Sequence, residues 1–430
     1  MSRLQLLKWV GTVAAAGIAV LTVVAVARPD AFMSAAAGIE SRLEPEAVEW
    51  PRAAPSEEGL KRAALDDLTS RLAQRETTSF LVVRGGHLVY ERYPDDRDST
   101  RLRYTAALTK AIVGSVVLSR AVTDGFLELS DPARKYLPVW RADSLRSEIR
   151  IRDLAFHASG LEDVDFIAGE AGQLRGWKNM YYHVPARRFS MAVTRAPVNF
   201  RPGTEFAYSG VAYYALAEAL AQAIGRDVES YLRERVYEPV GIPSTAWSIS
   251  YGREYRIRGE SLYAVGSGGK FTPRSIARIG QLLLDEGCWQ GERLLSGDAV
   301  DGILARGGSD TREWAESLAD SSRVVPGAGW WLNREGIWPF LPEDAFAGMG
   351  AGGQLLLVVP SEDLIAIRTG ASGSFSYEQN VLYRLRLAGD EFFRPLMRAV
   401  EGPSSRQSGP SRTGCTEGGD GRPVDGARGG

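Results

Sequence analysis

Lys110 is the residue whose setting most invites chemistry. Of 51 basic residues in the chain, six are lysines, and arginine fills nearly every other cationic position. Arginine stays charged, whereas a buried lysine can lose its proton. A lysine at the mouth of an apolar stretch therefore suggests a role that needs a shiftable amine. The segment Tyr104-Thr105-Ala106-Ala107-Leu108-Thr109-Lys110 opens a run to Asp124 that is apolar and, apart from Gly114, free of Gly and Pro. This run predicts a largely buried helix. Residue 107 lies one turn before Lys110 and shares its face. A nucleophile there would sit in the positive end of the backbone dipole, with the amine placed to accept or relay its proton. The residue is Ala107, which carries no attacking atom.

Two further segments stand out by their residue types. Tyr208-Ser209-Gly210 lies between Arg201-Pro202-Gly203-Thr204 and Tyr213-Tyr214-Ala215-Leu216. Gly348-Met349-Gly350-Ala351-Gly352-Gly353-Gln354 is a small-residue run that lets backbone approach a ligand closely. The three histidines, His87, His157 and His183, form no array with metal-ligand spacing, and neither do Cys288 and Cys415. No metal and no cofactor are expected. A Cys288–Cys415 disulfide is possible but disfavoured, because Cys415 falls in a segment that reads as disordered. A net charge of -2 gives no global field to attract nucleic acid.

In this order and with these flanks, the chain resembles the serine β-lactamase and penicillin-binding-protein-like hydrolases, on the class C-related branch that includes esterases and 6-aminohexanoate-dimer hydrolases. That family opens a buried helix with Ser-x-x-Lys, and the resemblance places Ala107 at the nucleophile position. Asp131-Pro132 through Tyr136-Leu137-Pro138, His157-Ala158-Ser159-Gly160-Leu161, Trp330-Trp331 and Thr272 to Leu284 match further family segments. The resemblance implies catalytic roles for Lys110 and Tyr208, and substrate contacts from Ser209, Gly210, Met349, Gly350, Ala351 and Trp330. The strand after Gly348 would supply a backbone N–H to an oxyanion hole. His157 would fix its loop rather than catalyse, and Tyr181 and Tyr182 are candidates to line the pocket. The family's asparagine and its third-motif histidine are absent, with Gly210 and Met349 in their places. The only literal Ser-x-x-Lys, Ser267-Gly268-Gly269-Lys270, has glycines that suit a loop better than a helix start.

The elements that must position these residues are legible from pattern. Phe80 to Val83 and Leu88 to Tyr93 predict a hairpin around Gly85-Gly86. Leu355 to Val359 and Leu364 to Arg368 predict a second strand pair across Pro360-Ser361-Glu362-Asp363. Val211 to Ile224 predicts a helix stopped by Gly225. Ile276 to Asp285 predicts another, and Tyr377 to Val400 a closing helix. Strands at both ends around a helical middle predict an α/β (α+β) fold: an antiparallel sheet flanked by helices with a large helical insertion at about 106–260, β-lactamase/transpeptidase-like. The expected domain spans 59–400, after a linker at 29–58 and before a disordered tail at 401–430.

Residues 1–28 carry an address. Arg3 and Lys8 precede an uncharged run from Trp9 to Ala27, whose length at helical rise is about 28 Å, close to a bilayer core. The positive flank favours an N-in signal anchor over a cleaved signal peptide. Either places the main domain outside the cytoplasm, membrane-anchored or released. The expected partner is a small-molecule or peptide-like acyl substrate.

Alanine at position 107 leaves two readings. The chain is a hydrolase of esters or amides whose serine has been replaced, or it is a natural pseudoenzyme that binds without turnover. Water activated directly by Lys110 or Tyr208 is a third, weaker route.

Overall fold

The computed structural model describes residues 48–95, 99–164, 174–304, 325–371 and 381–407, together with Cys415. The N-terminal apolar run lies outside the described residues, as does most of the expected tail.

Seven strands form one antiparallel sheet: β1 (Thr77–Arg84), β2 (His87–Arg92), β3 (Val325–Pro326), β4 (Trp331–Leu332), β5 (Phe346–Gly350), β6 (Gln354–Val359) and β7 (Leu364–Gly370). Their spatial order is β3-β4-β5-β6-β7-β1-β2, so the two ends of the chain meet where β7 pairs with β1. The antiparallel α/β architecture expected from the sequence is the one observed. Both predicted strand pairs are present. At the first hairpin Arg84 faces His87, and Gly85 and Gly86 both have positive φ (61° and 78°), the two-residue turn that suits the strand twist.

The sheet is buried on both faces, so its strands read as continuous apolar runs while their side chains still alternate. Leu81, Val83, Leu356, Val358, Ile365 and Ile367 face the larger core, shared with the helical part. Phe80, Val82, Leu355, Leu357, Leu364 and Ala366 face a second core under helix α1 (Arg62–Ala73) and the C-terminal helices.

The chain between β2 and β3 carries helices α2 (Ser115–Thr123), α3 (Gly176–His183), α4 (Arg188–Thr194), α5 (Gly210–Ile224) and α6 (Pro273–Leu284). The helix predicted from Ala106 is entered through a 3-10 turn, Ala106–Leu108, and a π turn, Lys110–Gly114. Helix α6 lies on the sheet through Gly280, where a Cβ would stand 3.1 Å from Ile365 and Leu356. The insertion is longer than expected and contains short strands, including Arg103–Tyr104, Trp247–Ser248 and Lys270–Phe271, which pair with one another.

Three boundaries differ from the sequence expectation. Residues 48–58, inside the expected linker, are packed against the domain. Val48 and Trp50 are buried, and the Arg278 guanidinium sits 4.1 Å over the Trp50 ring. Residues 401–407 of the expected tail are packed, with Ser404 buried and Ser405 Oγ donating to Glu58. Cys415 is bonded to Cys288 with Cα atoms 5.8 Å apart, a normal span for a bridge. The closing helix is broken into α7 (Val381–Ala388), a π turn at Gly389–Phe393 and a short Arg394–Met397 helix. Pro395 has no N–H to return to the preceding turn, which accounts for the break.

Candidate active site

One wall of the site is built by backbone. Ala106 has φ +47°, a left-handed conformation costly for a residue with a Cβ. A strap holds that corner. Thr105 N–H and Thr105 Oγ1 both donate to Gly269 O at 2.9 Å, while Gly269 N–H donates to Thr109 Oγ1 at 3.1 Å. Thr109 Oγ1 donates to Ala106 O at 2.6 Å. The Ser267–Lys270 segment is therefore a clasp on the turn that presents residue 107. Gly269 is required there, since a Cβ would lie 2.7 Å from Thr105 Oγ1.

Strand β5 runs against the same turn. A Cβ on Gly350 would lie 2.4 Å from Thr105 O and 3.2 Å from Ala107 N, so no larger residue fits without movement. On strand β5, β4 pairs only with Phe346 and Ala347, which leaves the Gly348–Gly350 edge uncovered by it beside Ala107.

Lys110 follows one turn after Ala107, buried at 5% exposure. Its Nζ donates to Gly266 O at 3.1 Å and lies 4.9 Å from the Tyr208 ring centroid and 5.2 Å from that of Tyr213. Among the described residues it makes no ion pair.

The opposite wall is built by side chains. The Tyr208 ring packs on His157 with centroids 4.4 Å apart. His157 has φ +62°; its carbonyl accepts from Ala207 N–H at 2.9 Å and its Nδ1 accepts from Ser209 N–H at 3.0 Å. Burial, followed by the nearby Lys110 charge, holds its imidazole well below the usual histidine range. It is thus neutral. His157 ties the loop to Tyr208 and also lines the pocket.

Helix α5 begins directly after Tyr208-Ser209. Ser209 Oγ accepts from Ala212 N–H at 3.1 Å, as an N-cap should. Asp163 Oδ2 accepts from Gly210 N–H at 3.0 Å and Oδ1 from Val211 N–H at 3.3 Å. Burial pushes the Asp163 carboxyl up, while these N–H groups and Lys110 oppose the shift.

Ala107, Lys110, His157 and Tyr208 share one pocket with Pro326, Gly327, Gly329, Trp330, Trp331 and Met349. Its volume is about 10 Å³, room for about one water molecule. Trp330 is fixed by Nε1 donating to Ser115 Oγ at 3.0 Å. Gly329 backs onto the Lys110 carbonyl, 2.7 Å from where its Cβ would be.

Five of the expected residues, Ala107, Lys110, Tyr208, Met349 and Trp330, therefore converge. Four do not line this pocket. Ser209 is buried at 1% exposure with its hydroxyl turned to the helix end. Gly210 faces Asp163 and the Tyr181 hydroxyl, 3.7–3.9 Å from where a Cβ would stand. Gly350 supports the Ala107 turn from behind, and Ala351 is exposed in the following turn. Asp163 was missed by motif reading. The signal that could have found it is an unmet need: one N-cap serine cannot satisfy all the free N–H groups that open α5.

Known proteins are similar to this chain. A family model described as Beta-lactamase matches residues 65–378. The D-alanyl-D-alanine-carboxypeptidase/endopeptidase AmpH of Escherichia coli strain K12 is 28% identical over 231 residues, covering 49% of this chain and 58% of that protein. The chain thus spans less than two thirds of that relative's length. The 6-aminohexanoate-dimer hydrolase of Paenarthrobacter ureafaciens is 26% identical over 324 residues, covering 71% of this chain and 75% of that protein. The crystal structure of a family VIII carboxylesterase aligns with a TM-score of 0.57 at 17% identity, covering 81% of this chain and 99% of that one, which speaks for the fold.

Proposed function

The chain belongs to the β-lactamase family, and on that premise we propose that it is an ester- or amide-directed serine hydrolase frame whose nucleophile position is occupied by Ala107. The observation that carries this reading is convergence: Ala107, Lys110 and Tyr208 line one pocket beside the Met349–Gly350 strand. With serine at 107, Lys110 and Tyr208 would take and relay the hydroxyl proton. The hydroxyl oxygen would attack the carbonyl, and the backbone beside Gly350 would receive the oxyanion. The C–O or C–N bond would break and the alcohol or amine would leave with the relayed proton; water would then attack the acyl-serine, releasing the acid and restoring the hydroxyl. As written, the chain binds without forming an acyl intermediate. Relatives named as a carboxypeptidase/endopeptidase and a dimer hydrolase support a small or peptide-like acyl substrate.

A binding role for the chain as it stands has support of its own. The pocket walls, the strained corner and the Lys110 contacts are all present without a hydroxyl at 107. We place the domain outside the cytoplasm, tethered through residues 1–28 or released by their cleavage. The Cys288–Cys415 bridge supports an oxidising compartment.

A fluorophosphonate probe tests the reading. Ala107→Ser should gain one covalent label per chain at position 107, by intact mass and peptide mapping, and the chain as written none. A folded Ala107→Ser protein that stays unlabelled by both fluorophosphonate and β-lactam probes would refute it.

A further inference from the structure

Arg188 opens helix α4 beyond the Tyr208–Gly210 wall, and among the described residues its charge has no anionic partner. Its Nε donates to Tyr181 O at 3.2 Å, Nη1 to Tyr214 Oη at 3.3 Å and Nη2 to Tyr182 O at 3.4 Å. All three acceptors are neutral, and all three bonds are long. Among the described residues no carboxylate lies within ion-pair distance of the guanidinium. A partly buried cation is ordinarily paired. A guanidinium also has five N–H donors, so two remain for a ligand.

Aromatic rings surround the guanidinium. The Tyr181 and Tyr251 rings lie 5.9 and 6.0 Å from Arg188 Cζ. Tyr104 stacks loosely on Tyr251 at 6.2 Å, and Tyr181 packs edge-on to Tyr214 at 5.5 Å. Tyr104 is 41% exposed and Arg188 is half-buried, so solvent reaches the group. Tyr251 is held there at a cost. It and Ser250 both have positive φ, 61° and 56°, and Tyr251 N–H donates to Gly268 O at 2.9 Å. Two links join this cluster to the site. Tyr104 stands three residues before Ala107, and the Tyr181 hydroxyl is 3.9 Å from where a Gly210 Cβ would be. The nearby Asp163 carboxylate is already engaged by the Gly210 and Val211 N–H groups.

We infer that Arg188, framed by Tyr104, Tyr181, Tyr214 and Tyr251, is an anion subsite that selects acyl substrates carrying a free carboxylate. This rests on the hydrolase reading for what is cleaved, but not for what is bound. Arginine suits the task because its planar fork matches a carboxylate. The tyrosines add apolar faces and hydroxyl donors without a competing charge.

The test has a kinetic and a binding arm. In the Ala107→Ser background, mono-p-nitrophenyl glutarate carries its carboxylate on the acyl part and 4-acetoxybenzoate on the leaving group. Neutral comparators are p-nitrophenyl butyrate and phenyl acetate. Arg188→Gln should lower kcat/KM for one charged probe by about 10–100-fold while its neutral comparator stays within about twofold, and Arg188→Lys should keep part of the preference. In the second arm, calorimetry on the chain as it stands should show glutarate binding that Arg188→Gln removes. Melting curves check that both variants fold. Equal losses on charged and neutral probes would make Arg188 a structural pin and overturn the inference. So would unchanged selectivity, or glutarate binding that is absent or indifferent to Arg188. If the serine form cleaves no ester, the hydrolase reading fails, and the calorimetry still decides the subsite.

Discussion

The two walls of the pocket are held in different ways. The Ala107–Lys110 wall is a backbone construction: a left-handed Ala106, a clasp from Gly269, and Gly350 pressed against Thr105 and Ala107. None of these contacts uses the side chain at 107, so the wall stands whether that residue is serine or alanine. The Tyr208 wall is a side-chain construction in which His157, Asp163 and Ser209 satisfy backbone groups around the start of α5. Chemistry can therefore be deleted from the first wall without disturbing its shape. A change in the second wall alters the shape itself.

The largest effect should come from the first wall. In the Ala107→Ser background, Lys110→Ala should cut esterase kcat/KM by about 10³–10⁴-fold, roughly 4–5.5 kcal/mol of barrier, with no comparable change in the melting temperature. A loss below tenfold would show that the serine is activated by another group.

The second wall should answer through stability and pH. Asp153 caps the Ile151–Ala155 helix that leads to His157, and burial raises its carboxyl to about 6. Between about pH 4 and 6 the folded state holds a proton there that the unfolded state has lost, so stability falls as pH rises through this window. The depressed His157 has the opposite sign. Below about pH 6.5 the unfolded state gains a proton that the folded state refuses, so stability falls as pH falls. The two slopes oppose each other in their shared range. Asp153→Asn should remove one of them, stabilising the protein by about 1–3 kcal/mol at pH 7 and leaving a steeper loss on acidification. Urea melts at pH 4, 5, 6 and 7 check this; parallel curves for the variant and its parent would contradict it.

The smallest effect sharpens the assignment of Ser209. Ser209→Ala should cost about 1 kcal/mol as a lost N-cap, and in the serine background should leave kcat/KM within a fewfold. A large kinetic loss without destabilisation would return Ser209 to the substrate.

What could be read from the sequence follows the same division. Strands, the Gly85-Gly86 hairpin and helices α5 and α6 carry local signals, because their periodicity and stop residues act within one turn. The Lys110, Tyr208, Met349 and Trp330 positions were legible because each sits in a patterned flank. Asp163 and Arg188 were not, because their partners are supplied by distant backbone and ring contacts. The packing of Val48 and Trp50 was hidden for the same reason. Trp50 is held by Arg278, and Arg52 pairs with Glu91 and bridges to Leu88, all far along the chain. Cys415 sits in a polar, glycine-rich context that gives no hint of its bond to Cys288.

The most direct measurement is a rapid-mix experiment on Ala107→Ser with p-nitrophenyl butyrate in excess. If the frame lacks only its attacking oxygen, p-nitrophenol should appear in a burst approaching one equivalent per chain, with a matching acyl adduct by intact mass. The chain as written should show neither. A folded Ala107→Ser protein with no burst, no adduct and no turnover above the parent would contradict the account.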